Sequence, residues 1–153
     1  MQAVMNLIER ILPGHSGQFE VEEIHADGGR DTYELDGKDG KIVLRGNNQG
    51  SMAAAFGWYL KYMLKQNISW CGKRVTVFEG KLPMPEFYRR VIEQEYRVYM
   101  NYCTHSYSAA WWDWDRWEYE IDMMALSGIN MPLAITGTES VWYHTLLDLG
   151  FSD

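Results

Sequence analysis

Val4, Leu7, Ile8, Ile11 and Leu12 recur at helical spacing and stop at Pro13-Gly14, so the chain opens on an amphipathic helix. Three β-rich runs follow, "FEVEEI", "DTYEL" and "KIVLR". Between the last two, "DGKDG" supplies the residues that a hairpin turn demands, which predicts a strand and then a hairpin. After "GNNQGS", residues Met52, Ala55, Phe56, Tyr59, Leu60, Met63 and Leu64 form an i, i+3, i+4, i+7 stripe, the mark of a second helix with one buried face. "ISW" and "VTVFEG" read as added edge strands. Together these elements predict an α+β domain, a small, mostly antiparallel sheet with helices on one face.

The periodicity breaks at "GKLPMPEFYRRVIEQEY", where two prolines and a charged run interrupt it as an interdomain linker would. A boundary at 85–95 follows, with the first domain taken as residues 1–88 and residues 89–153 as linker and second unit. That unit reads as strand "YRVYMNYC", a loop, helix "DWDRWEYEIDMMALSG", strand "INMPLAIT", a "GTES" turn and helix "VWYHTLLDLG". Such β-α-β-α order builds parallel sheets through right-handed crossovers. Two strands cannot bury a parallel sheet on both faces, so the second unit is expected to be incomplete.

Composition narrows the function. Aspartate and glutamate number 21 against 14 lysine and arginine, a net charge of −7, and no basic block flanks the tryptophans. Phosphate neutralisation, and with it nucleic-acid binding, is disfavoured. The longest apolar run, near "MAAAFGWYL", falls far short of a bilayer span, so no membrane partner is expected. "MQAVMNLIERIL" lacks a basic leader and a cleavage site, so a secretion signal is absent or removed. Cys71 and Cys103 make neither a metal spacing nor a disulfide framework.

Residues 97–117 hold four of the seven tryptophans. Strand parity sends Val98, Met100 and Tyr102 one way and Tyr99, Asn101 and Cys103 the other. In a parallel barrel the carboxyl ends of the strands and the loops after them form the active site, which is where Asn101, Cys103 and residues 104–108 would lie. Asp113 can cap the following helix. Trp114, Trp117, Ile121, Met124 and Ala125 would make its buried stripe, and Gly128 would close it. Most of the tryptophans thereby read as core.

The tract "YMNYCTHSYSAAWWDWDRWEYEIDMMALSGINMPLAITGTESVW", with its Trp-Trp-Asp-Trp signature, resembles the start of the catalytic barrel of the α-N-acetylglucosaminidase family, glycoside hydrolase family 89. "GNNQGSMAAAFGWYLKYML" resembles, more loosely, that family's small N-terminal domain. The resemblance implies an α+β domain followed by the first two βα units of a truncated (β/α)8 barrel, the amino-terminal portion of an exo-acting enzyme. That enzyme would remove terminal α-linked N-acetylglucosamine from glycans with retention, using two carboxyl groups and no cofactor. The catalytic glutamates of the family would lie beyond Asp153, which leaves this stretch inactive alone. Asn101, Cys103 and Tyr107 match the family's sugar-pocket residues, with positioning as their role. An extracytoplasmic setting (secreted, periplasmic or lysosomal) is implied too. His105 stands where the animal relative has an amide, and Pro132 interrupts the second barrel strand at the expense of a ladder donor.

Plainer readings stand beside these. Glu118, Glu120 and Asp122 are expected on the solvated face of their helix. Glu139 either favours a helix dipole or lies on the functional side, the former preferred. His15 and His25 read as surface residues, and His144 has no partner spacing. Cys103 taken by itself would be a small buried thiol, and Cys71 keeps that reading. A non-catalytic carbohydrate-binding or interaction module is the rival function. A barrel cut after two units also exposes apolar helix faces and strand edges, which predicts self-association, packing back onto the first domain, or a mobile tail.

Overall fold

The computed structural model describes residues 1–26, 28–70, 72, 78–135 and 137–152. Helix α1 spans Gln2–Ile11 and buries Val4, Leu7, Ile8 and Ile11, the face its periodicity predicts. Strands β1 (Phe19–Glu23), β2 (Thr32–Lys38) and β3 (Lys41–Gly46) follow. Asp39 and Gly40 both take positive φ (51° and 78°), so a type I′ turn joins β2 to β3 with the right-handed twist of the strands. Helix α2 (Gln49–Tyr62) starts at Asn48, whose side chain accepts from the Ser51 backbone N–H at 2.8 Å. It lays Met52, Ala55, Phe56, Tyr59 and Leu60 on the sheet.

The sheet runs β1-β3-β2-β4, where β4 is Tyr88–Val91. It is mixed. β2 pairs antiparallel with β3 and β4, whereas β1 pairs parallel with β3. The hairpin's second strand slots between β1 and β2, so the neighbour of β1 is not the next strand in sequence. The fourth strand comes from the segment expected to be a linker. "ISW" forms no strand, and the first half of "VTVFEG", with Cys71, falls outside the described residues. Phe19, Tyr33, Leu35, Ile42 and Leu44 face the helices. Phe19 meets Phe56 and Tyr59 edge-to-face at centroid distances of 5.4 and 5.5 Å.

The opposite sheet face carries a row of alternating charge across all four strands. Glu22, Arg45, Glu34 and Arg89 occupy successive paired positions on β1, β3, β2 and β4. Arg45 Nε donates to Glu22 Oε2 at 2.6 Å, and Arg89 pairs with Glu34. Opposite charges directly across a ladder favour this register over its slips. This explains how "YRRV", poor in apolar residues, becomes a strand.

In the second unit β5 (Val98–Tyr99) pairs parallel with β6 (Met131–Pro132). Helices α3 (Tyr102–Ser106), α4 (Trp114–Leu126) and α5 (Thr138–Asp148) complete the order β5-α3-α4-β6-α5. The Asp113 side chain accepts from the Arg116 N–H at 3.0 Å to cap α4. Gly128 (φ 70°) ends it as predicted: its N–H reaches the Ala125 carbonyl and the Ile129 N–H reaches Met124, a Schellman closure.

α4 packs on α2 of the first domain, and Gly57 makes this approach feasible. A Cβ built there would lie 2.0 Å from the Leu126 carbonyl oxygen. Docking inverts the expected polarity of α4. Trp114 is 67 % exposed and Ile121 46 %, while Glu120 (0 %) and Asp122 (5 %) are buried. The acids expected in solvent meet specific partners instead. Arg10 of α1 grips Asp122 through two hydrogen bonds, 2.8 Å from Nε and 2.6 Å from Nη2, and stands 3.8 Å from Glu118.

Candidate functional site at the carboxyl end of the first parallel strand

The backbone turns immediately after β5. Met100 adopts φ 66°, and Asn101, expected to continue the strand, caps α3 instead. Its Oδ1 accepts from the backbone N–H groups of Cys103 (2.9 Å) and Thr104 (3.2 Å), and Thr104 Oγ1 accepts from the Asn101 N–H. Strand parity therefore does not relate Asn101 to Cys103. They share a site because both begin the same short helix, and Tyr107 closes it as C-cap. All three are exposed, Tyr107 to 80 %. Since the cap consumes Oδ1, the Asn101 Nδ2 amine has no partner among the described residues and stays available as a donor.

His105 fastens α3 to the neighbouring strand end. Its Nε2 lies 3.2 Å from the Leu133 carbonyl, just past β6, and its ring stacks on Trp117 at 5.9 Å. Trp117 in turn meets Trp112 edge-to-face at 4.9 Å. The Trp-Trp-Asp-Trp signature thus divides by function. Trp112 supports the rim, Asp113 caps a helix, and Trp111 and Trp114 are exposed. Pro132 ends β6, and Leu133 supplies the next ladder donor, to the Tyr99 carbonyl at 3.0 Å. Glu139 lies in the first turn of α5, and His144 on that exposed helix meets Tyr143. His15 bonds the Phe78 carbonyl and Gln18, a structural role at the start of β1.

Beneath the rim lies a cluster that apolar periodicity could not reveal. Glu120 Oε1 accepts from Trp70 Nε1 (2.9 Å) and from the Tyr99 hydroxyl (2.8 Å). Its Oε2 lies 2.9 Å from Arg116 Nη2, while the guanidinium rests over Trp112 at 4.1 Å and Tyr119 at 5.2 Å. Burial, reinforced by the bond to Glu120, pushes the Tyr99 hydroxyl up to about 12, so it donates throughout the physiological range. The i, i+4 spacing of Arg116 and Glu120 was the available sequence signal, though such pairs usually sit in solvent.

No group of three or more metal-ligating side chains occurs among the described residues, and no described helix is long and apolar enough to cross a membrane.

Residues 2–84 match the alpha-N-acetylglucosaminidase N-terminal domain, and residues 97–153 match the tim-barrel domain of the same family. Human alpha-N-acetylglucosaminidase is 37% identical over 155 residues, covering 98% of this chain and 21% of its own length. A family 89 glycoside hydrolase from Clostridium perfringens, in complex with 2-acetamido-1,2-dideoxynojirmycin, superimposes with a TM-score of 0.91 at 32% identity, over 99% of this chain and 18% of that one. The same bacterial enzyme in complex with its substrate GlcNAc-alpha-1,4-galactose gives 0.90, again at 32% identity, over 99% and 17%. The chain thus spans about a fifth of the length of these relatives. With both of its units matched in order, the chain belongs to the alpha-N-acetylglucosaminidase family, glycoside hydrolase family 89.

Proposed function

We propose that this chain forms the amino-terminal portion of an exo-acting α-N-acetylglucosaminidase, in which Asn101, Cys103 and Tyr107 help wall the subsite for the terminal N-acetylglucosamine. The observation that carries the reading is the joint one of family and placement. The three residues sit exposed at the carboxyl end of the first parallel strand, the end at which barrels of this kind do their chemistry. Asn101 Nδ2 is a free donor for a sugar oxygen, Tyr107 offers a hydroxyl and an apolar ring, and Cys103 fills space without charge.

Bond breaking is assigned to carboxyl groups outside this chain. In a retaining reaction one acid protonates the glycosidic oxygen as its bond to the anomeric carbon breaks. A carboxylate about 5 Å away forms the glycosyl-enzyme bond, which water then cleaves. The buried acids among the described residues are otherwise engaged: Glu120 with Trp70, Tyr99 and Arg116, and Asp122 with Arg10. The glycan is the partner, and an extracytoplasmic setting accords with such substrates. We draw the boundary between the units at 92–96, supported by the pairing of β4 with β2 and by the ranges 2–84 and 97–153. Exposed Trp114, Ile121, Trp142 and Leu149 support self-association of the isolated chain.

The test is Asn101→Asp in the longer enzyme. An aspartate keeps the cap on α3 but replaces the Nδ2 donor with an acceptor. A buried, preorganised hydrogen bond to ligand contributes about 1–3 kcal/mol, so kcat/KM on a chromogenic α-N-acetylglucosaminide should fall roughly ten- to a hundredfold with little change in melting temperature. Wild-type kinetics in this variant, or turnover by residues 1–153 alone, would refute the assignment.

A further inference from the structure

We infer that Glu120 is a positioning residue for the sugar-facing turn, acting through the Tyr99 hydroxyl and tied through Trp70 to the N-terminal domain. The inference rests on the proposal that the rim at 101–107 contacts sugar. Its grounds are the backbone and the hydrogen bonds around the turn. Met100 is a non-glycine residue at φ 66°, a conformation that persists only where the surroundings fix it from both sides. Downstream it is fixed by Asn101, whose side chain caps α3. Upstream it is fixed by Tyr99, whose hydroxyl donates to Glu120 Oε1 at 2.8 Å.

The same oxygen accepts from Trp70 Nε1 at 2.9 Å, so one buried atom joins a loop of the N-terminal domain to the residue preceding the turn. Apolar contact between the two units would hold them together without fixing an angle. A carboxylate receiving two directed donors sets where the Tyr99 ring lies, and with it the direction in which the chain leaves β5. The arrangement is not optimised for stability. Arg116 Nη1 and Glu120 Oε2 are buried without a hydrogen bond of their own among the described residues, although Arg116 Nη2 stands 2.9 Å from that oxygen. The charge pairing, and the stacking of Arg116 on Trp112 and Tyr119, offset the burial of these two atoms. A buried polar cluster left partly unsatisfied directly under a strained turn fits a placement role better than a packing role.

The variants are Tyr99→Phe, Glu120→Ala and Glu120→Gln in the longer enzyme, beside Asn101→Asp. KM, kcat and melting temperature are measured for each, together with the inhibition constant of a competitive N-acetylglucosamine-like iminosugar. Tyr99→Phe and Glu120→Ala should raise KM and the inhibition constant together, about five- to tenfold, with kcat per folded molecule within twofold of wild type. Such a loss is one of binding made equally in ground and transition states. Glu120→Gln keeps the acceptor for both donors and should stay within about twofold on both constants. A purely structural cluster would lower melting temperature and folded yield and leave KM alone, and that pattern in Tyr99→Phe overturns the inference. If Glu120→Ala fails to fold, Tyr99→Phe, which removes one oxygen, decides the matter by itself. If Asn101→Asp impairs catalysis while Tyr99→Phe leaves KM unchanged, only the positioning inference falls. If neither variant changes the kinetics, the sugar-site proposal falls with it.

Discussion

Replacing Gly57 with alanine tests how the two units are joined. An added Cβ would sit 2.0 Å from the Leu126 carbonyl oxygen and 2.8 Å from its carbonyl carbon. Contacts of that kind are not made below about 3 Å, so α2 and α4 would have to part by about 1 Å. The atom in the way is backbone, which no rotamer change can move. Overpacking of this sort costs about 1–3 kcal/mol, and a backbone obstacle places it near the upper figure. Against this, alanine in place of an interior helical glycine contributes about 1 kcal/mol of propensity. The balance is a loss of about 2 kcal/mol. For a chain of this length that lowers the melting temperature by roughly 4–8 °C. Thermal unfolding of residues 1–153 gives the total, and native-state hydrogen exchange over 114–126 locates it. A melting temperature that rises by about 2–4 °C, the result expected from propensity alone, with α4 protection retained, would refute the close approach of the helices.

Two further perturbations examine the same junction. Arg10→Ala strands the nine-tenths-buried Asp122 carboxylate and should cost about 1–3 kcal/mol in urea unfolding, most of it recovered when Asp122→Leu is combined with Arg10→Met; equal losses in single and double variants would show that the pair is not coupled. At Asp31 burial acts to raise the carboxyl, but hydrogen bonds from Arg97 and Asn48 outweigh it and hold it below its ordinary value. Because the folded value is depressed, the stability Asp31 contributes is complete above about pH 4 and is lost as pH falls through the folded value. The stability difference between wild type and Asp31→Asn should therefore stay level from pH 7 to about pH 5 and shrink below about pH 4. A difference that does not shrink at all as the pH falls below about 4 would exclude the ion pair.

What could be read from the sequence was local. α1, the β2–β3 hairpin, α2 and the capped ends of α4 follow from patterns contained within each segment, and each forms where its pattern lies. β4 could not be read in this way, because "YRRV" has two arginines at its centre. Its identity as a strand depends on Glu34, which is 55 positions from Arg89. The turn at Met100 was misread for another reason. The Asn-x-x-Thr spacing of residues 101–104 is a capping signal, yet the apolar and polar alternation before it suggested an uninterrupted strand. Asn101, Cys103 and Tyr107 fell in one place because all belong to one short helix, not because they share a strand face.

The polarity of α4 shows why periodicity was bound to mislead at this point. A barrel helix normally gives its apolar stripe to the sheet and its polar face to water, so the acids at 118, 120 and 122 were expected in solvent. Here the N-terminal domain covers that polar face. Covering charged groups is tolerable only with matched partners, since a buried carboxylate without them costs several kcal/mol. The partners are in place: Arg10 from α1 for Asp122, Trp70 from the loop after α2 and Tyr99 from β5 for Glu120. These contacts span 112, 50 and 21 positions, which no window of helical period can contain. The stripe of Trp114 and Ile121 is left on the opposite side, exposed. α4 therefore has two demanding faces, and the polar one carries the specific geometry. Apolar surfaces can slide over one another at little cost, but the Arg10 fork and the doubly bonded Glu120 oxygen accept a single arrangement of the two units.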